Sequence, residues 1–136
     1  MTPNKLLVAF SLAALSLAPY ADVVVVVSSK SPIGPLNKDQ VTDTFMGKAK
    51  NVGGASVSPI DYADSPKEAF YSGVLGKSPG QMKSFWAKLA FTGAGVPPKE
   101  LGSQAEAKKQ LTENPSAITF MERSQVDGSV KVVFPQ

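Results

Sequence analysis

The sequence contains no cysteine and no histidine. That double absence removes thiol nucleophiles, disulfide bridges, imidazole general bases and the usual zinc and haem ligands together. Charge is sparse as well, with 14 Lys and Arg against 11 Asp and Glu and a formal charge of +3. Lys83, Lys88, Lys99, Lys108 and Lys109 are scattered through predicted helices and loops, with no basic run and no aromatics stacked beside them. A solvated surface accounts for them, and nucleic acid is excluded as a partner. What remains is ordinary for a globular chain: 43% hydrophobic and 18% charged residues, which excludes disordered and collagen-like classes. A length of 136 residues suits one domain. The composition favours a binding protein over an enzyme, and it implies no cofactor and no metal.

Lys5 precedes an uncharged run, Leu6 to Ala18, of 13 residues. Spanning a bilayer as a helix takes about 20. The run has the length and order of the apolar region of a secretory signal, with cleavage expected after Ala21. Residues 1–21 are therefore read as a signal peptide and residues 22–136 as the working domain, placed in the periplasm of a bacterium. No cysteine stands near the cut, so a lipoprotein anchor is excluded.

Val23 to Val27 are five consecutive valines, a strand pattern expected where both faces of a sheet are covered. Four helices then announce themselves by capping chemistry. Asn37 with Gln40 opens the first, Leu36 and Val41 stand where a hydrophobic staple would, and Gly47 ends it. Ser65, Pro66 and Glu68 open the second, which buries Phe70 and Val74 and stops at Gly76. Ser78, Pro79 and Gln81 open the third, whose Met82, Phe85, Trp86, Leu89 and Ala90 form one apolar stripe expected to face the core. Ser103 and Glu106 open the fourth, with Ala107 and Leu111 inward and Asn114-Pro115 beyond its end. Weaker strands are expected over Ala55–Ile60, where Pro59 marks an edge or an end, over Ala117–Met121, and over Val130–Phe134 after a turn at Val126-Asp127-Gly128. The predicted order is strand, helix, strand, three helices, strand, strand. That is an α/β chain, with a right-handed first crossover.

The local candidate for chemistry is Asp61-Tyr-Ala-Asp-Ser65-Pro-Lys67, which follows a strand and opens a helix. Ligands of open α/β sheets lie at the carboxyl ends of strands, and a helix start offers unpaired N–H groups to an anion. Ser65 and Lys67 are the candidate contacts there, and Ser31, after the first strand, is a third. The residues also allow a plainer account, in which Ser65 only caps the helix and Glu68, Asp61 and Asp64 put negative charge where an anion would sit. On chemistry alone the cap is the better account. Asp61 and Asp64 as an acid–base pair read as loop carboxylates in solvent, and Trp86 with Phe85 reads as core. Phe91 to Val96 is glycine-rich but lacks the Lys-Ser/Thr of a phosphate loop.

Several segments together carry a resemblance. Val41-Thr-Asp-Thr-Phe-Met-Gly-Lys48, then Phe70 to Leu75, then a helix bearing Phe85-Trp86 and ending Phe91-Thr-Gly-Ala-Gly95, then Asn114-Pro-Ser-Ala-Ile-Thr-Phe120, resemble in the same order the phosphate-binding substrate proteins of ABC transporters. The resemblance covers nearly all of residues 23–133. It implies an α/β fold, a single lobe of a type II periplasmic-binding-protein-like fold, with a central mixed sheet flanked by about four helices. It implies a non-enzymatic solute-binding function toward phosphate or another small ligand, with an ABC transporter permease or another envelope protein as partner. Two departures stand out. The family's Arg-x-x-Gly-Ser-Gly-Thr type of turn is here Asp61 to Lys67, in which only Ser65 carries over and Lys67 is a substitute cation. The chain also matches only one of two lobes that close by hinge motion. A homodimer or a partner chain would then supply the second wall. The alternative is a protein-interaction module on the same fold that no longer binds solute.

Overall fold

A computed structural model describes residues 23–64, 66–93 and 97–135. The expected signal peptide, the Ser65 cap and Gly95 lie outside these residues. Strand β1 (Val23–Ser28) leads through helix α1 (Lys38–Phe45) to a hairpin of β2 (Asn51–Val52) and β3 (Ala55–Ser56). Strand β4 (Ser58–Tyr62) follows, then α2 (Pro66–Phe70), which continues as a wider π turn over Tyr71–Leu75, and α3 (Pro79–Thr92). Strand β5 (Lys99–Leu101), helix α4 (Gln104–Glu113), β6 (Ala117–Glu122) and β7 (Val130–Phe134) complete the order. Among the described residues, no helix is long and apolar enough to cross a membrane.

Five strands form one mixed sheet in the order β5-β4-β6-β1-β7. β1 runs antiparallel to both β6 and β7, whereas β4 is parallel to β5 and β6. The fold class expected from the sequence is the one observed. All six residues of β1 are buried, as the uninterrupted valines require.

The first crossover is a correction. β1 and β4 are not neighbours, since β6 lies between them, and they run in opposite directions. The right-handed rule for parallel strands does not apply to that connection. Pro59 is a second correction, because β4 is interior rather than an edge. Its ladder to β6 includes Pro59 opposite Ile118, while its ladder to β5 begins only at Ile60. The missing N–H therefore falls just outside the second ladder. Two short pieces escaped sequence reading. β5 is a three-residue edge, and the β2–β3 hairpin turns on Gly53 and Gly54, both at positive φ (58° and 82°). That is the backbone a two-residue primed turn demands.

Capping chemistry is as read at α1, α3 and α4. Asn37 and Gln40 form a capping box on α1, and Ser78 and Gln81 form one on α3. The Ser103 side chain accepts from the Glu106 N–H on α4, and Gly76 closes the π turn at φ 69°. Replacing Ser78 with alanine is expected to cost about 1 kcal/mol, since only the Gln81 N–H loses its acceptor while the Ser78 N–H keeps Gln81 Oε1. A urea denaturation midpoint shifted by that amount, with an unchanged slope, is the measurement.

The core is aromatic at its centre. The ring of Phe120 on β6 stacks on Tyr62 (centroids 4.6 Å apart) and on Phe70 (4.4 Å), and Phe45 from α1 meets Phe70 edge-on at 4.9 Å. Ala107 and Leu111 of α4 are fully buried, as expected. In α2, Phe70 is buried but Val74 only half so, and Tyr71 and Leu75 take the inward places. The α3 stripe departs furthest from expectation. Only Met82 is buried; Phe85, Trp86 and Leu89 are half-exposed, Ala90 is exposed, and Phe91 next to them is 93% exposed.

Candidate functional site

Helical and strand periods place the candidate residues. Strand β4 ends Ile60-Asp61-Tyr62, and successive side chains alternate between faces of the sheet. Tyr62 turns into the aromatic core, where its hydroxyl donates to the Phe120 carbonyl at 2.7 Å. Burial, with lesser help from Asp64, pushes its phenol well above the usual tyrosine range. Asp61 is buried too, rather than solvated in a loop as expected. It has three partners: Oδ1 accepts the Tyr62 N–H at 2.7 Å, and Oδ2 accepts the Tyr71 hydroxyl and lies 3.5 Å from Lys67 Nζ. Burial first, then the bond to Asp61, drives the Tyr71 phenol far up, so this hydroxyl stays a donor at any working pH.

Lys67 sits at the centre of the group. Asp61 and Glu100 face each other across the parallel β4–β5 ladder, and like charges so placed repel. The Lys67 ammonium lies between them, 2.9 Å from Glu100 and 3.5 Å from Asp61, and 5.6 Å from the centre of the Tyr71 ring. Burial pulls the ammonium pKa down, but the hydrogen bond to Glu100 and the charge of Asp61 outweigh it, and the pKa ends above the usual lysine value.

These side chains form one wall of an open cleft of about 560 Å³. Helix α3 forms the facing wall with Pro79, Met82, Lys83 and Trp86, positions three or four apart on one face. Pro97 and Pro98, leading into β5, complete the rim. Trp86 is half-buried and packs with Phe85 against the edge of the core, as read, and it also lines the cleft; the two rings meet edge-to-face with centroids 5.2 Å apart.

Of the candidates read from the sequence, Lys67 is in the cleft and Ser65 lies outside the described residues. Ser31 is elsewhere. It follows the carboxyl end of β1, which lies beside Ala117 and Ile118, whereas Lys67 follows the end of β4 that lies towards Met121. Roughly 10–13 Å of sheet separates the two ends. Ser31 is buried there, its hydroxyl accepting the Ile33 N–H at 3.1 Å and its carbonyl accepting from Lys131 at 2.8 Å. Asp64 also leaves the site, because its Oδ2 accepts the Gln104 N–H at 2.7 Å and caps α4. No acid–base pair with Asp61 forms. Sequence reading missed Tyr71, Lys83 and Glu100. The spacing of Lys83 and Trp86 on α3 was an available signal; the pairing of Glu100 with Asp61 was not. Among the described residues, no group of three or more His, Cys, Asp or Glu side chains is placed to hold a metal.

No protein-family model and no curated protein matches the chain. Solved structures do match its fold. An ABC-type phosphate transport receptor from Vibrio cholerae superposes with a TM-score of 0.61 at 19% identity, over 82% of this chain and 45% of the receptor. A structure from Clostridium perfringens with bound phosphate, described as a phosphate ABC transporter substrate-binding protein, gives 0.63 at 19%, over 82% and 44%. PstS from Borrelia burgdorferi gives 0.59 at 11%, over 82% and 46%. The chain spans less than half the length of these structures. The likeness establishes a periplasmic-binding-protein-like α/β fold, as the sequence resemblance implied.

Proposed function

We propose that this chain is a solute-binding lobe acting outside the cytoplasm, which holds phosphate or a related small oxyanion at Lys67 beside Asp61. The observation that carries the reading is the cleft itself: a buried carboxylate and a lysine side by side where β4 and β5 end, on a fold shared with structures named for phosphate transport. A buried carboxylate repels a fully ionised anion. Phosphate, however, keeps an O–H at neutral pH, and an ionised Asp with three partners has an acceptor position left for it. Sulfate has no such proton and is expected to bind more weakly. Ser65, one residue before α2, is assigned a hydroxyl contact in this reading; Ser31 has no part in it. The apolar run Leu6–Ala18 supports export, and a transporter permease is the proposed acceptor of the solute.

A single lobe leaves one side of a ligand in water, so affinity is expected to be weak, with Kd on the order of 0.1–1 mM. Calorimetry on the purified chain should give heat with phosphate, less with sulfate, and none with phosphate in Lys67→Met, whose fold is checked by circular dichroism. Lys108→Met, outside the cleft, should bind as the parent does. No heat with millimolar phosphate, or equal heat in Lys67→Met, rejects the reading.

The sign of the Lys67 shift adds a pH expectation. A lysine pKa raised in the fold keeps its cation at every pH below that value and loses it only as pH rises through it. Phosphate affinity should therefore stay flat from about pH 8 to about pH 9.5, where phosphate ionisation is also constant. A steep fall within that window would point to a different cation.

A further inference from the structure

The remaining walls of the same cleft narrow the solute class, on the assumption that the oxyanion reading holds. Inorganic phosphate has the bulk of about three waters, at roughly 30 Å³ each, and fills a small part of the 560 Å³ present. Apart from Lys83, the side chains that α3 contributes to the lining are carbon-rich: Trp86, Met82 and Pro79. The charges also balance: Asp61 and Glu100 against Lys67 and Lys83. Lys67 already serves both carboxylates. An oxyanion that takes Lys67 leaves Glu100 short of its cation, unless the solute brings one.

We propose that the cleft takes a zwitterionic phosphorus compound, a phosphomonoester or phosphonate whose short carbon chain carries an ammonium. Its oxyanion lies at Lys67 and Lys83, its carbon chain runs along Met82 and Pro79, and its ammonium replaces Lys67 at Glu100 beside the Trp86 ring. The exchange leaves no carboxylate unpaired and puts a cation against an aromatic ring.

The test compares phosphoethanolamine with ethyl phosphate, which has the same length and lacks the amine. Calorimetry at about pH 5, where both esters keep the O–H that Asp61 accepts, is expected to show phosphoethanolamine binding at least tenfold more tightly. That ratio should fall towards one in Glu100→Gln, shrink in Trp86→Leu, and persist in Lys108→Met. Equal affinities for the two esters in the parent chain, or an undiminished ratio in Glu100→Gln, overturn the proposal. Lys67-dependent phosphate binding without any preference for the amine overturns it alone and leaves the oxyanion reading standing. Failure to bind phosphate or either ester overturns both. Phosphatidylethanolamine head groups display the same ammonium on a phosphodiester, and co-sedimentation with vesicles of that lipid separates the sources. A chain that binds the free ester and ignores vesicles takes a dissolved solute; one that binds vesicles and is released by the free ester reads the lipid.

Discussion

Phe120→Ala is expected to destabilise the fold by about 3–5 kcal/mol. The ring is fully buried on β6 and is stacked on both Tyr62 and Phe70, with Phe45 a further neighbour at 6.3 Å. Truncation removes the transfer energy of the ring and opens a cavity among three other rings that belong to α1, β4 and α2. β4 is fixed by ladders on both sides and α1 by its capping box, so collapse into the void is limited. Because whole domains are stable by only about 5–15 kcal/mol, the loss takes about a fifth of the total at the least. Urea denaturation followed by circular dichroism checks it. Phe120→Leu, which keeps most of the volume, should recover more than half of the loss. A Phe120→Ala midpoint within about 1 kcal/mol of the parent would show that this centre does not hold the fold together.

The second large effect is expected at Asp61. Asp61→Ala strips the acceptor from the Tyr62 N–H and the Tyr71 hydroxyl, while Lys67 retains Glu100. Two donors in a buried site then lack partners, at a cost of about 2–4 kcal/mol. The diagnostic is a double-mutant cycle. Removing the orphaned hydroxyl as well, in Asp61→Ala with Tyr71→Phe, should be less damaging than the sum of the two single changes by about 1 kcal/mol or more. Strict additivity would mean that the two groups are not coupled. The cycle also bears on the proposed function, since Asp61 can accept a hydrogen bond from a solute only if Tyr62 and Tyr71 hold it in place.

Features decided within a few residues could be read directly. The capping boxes at Asn37 and Ser78 need partners only three residues away, and the five valines of β1 state their burial without reference to a neighbour. Pro59 and the α3 stripe were misjudged because their meaning depends on what lies alongside. Pro59 is tolerated inside the sheet because β5 starts pairing one residue later. The α3 stripe has the period of a core helix, yet among the described residues nothing covers Phe91, and Trp86 looks into a cleft. Periodicity reports that a face is apolar; it does not say what covers that face.

By itself, then, the chain's order of residues determined where α1, α3 and α4 start, that the valine strand is buried on both faces, the α/β class, and the absence of thiol and imidazole chemistry. Tertiary structure decided the rest: that β6 separates β1 from β4, that Ser31 and Lys67 lie at opposite ends of the sheet, and that Lys67 stands between two carboxylates 39 positions apart in the chain. The division has one cause. Caps and periods are set by interactions across one or two turns of backbone, whereas strand order and register are set by which distant surfaces bury each other, and that is a property of the folded whole.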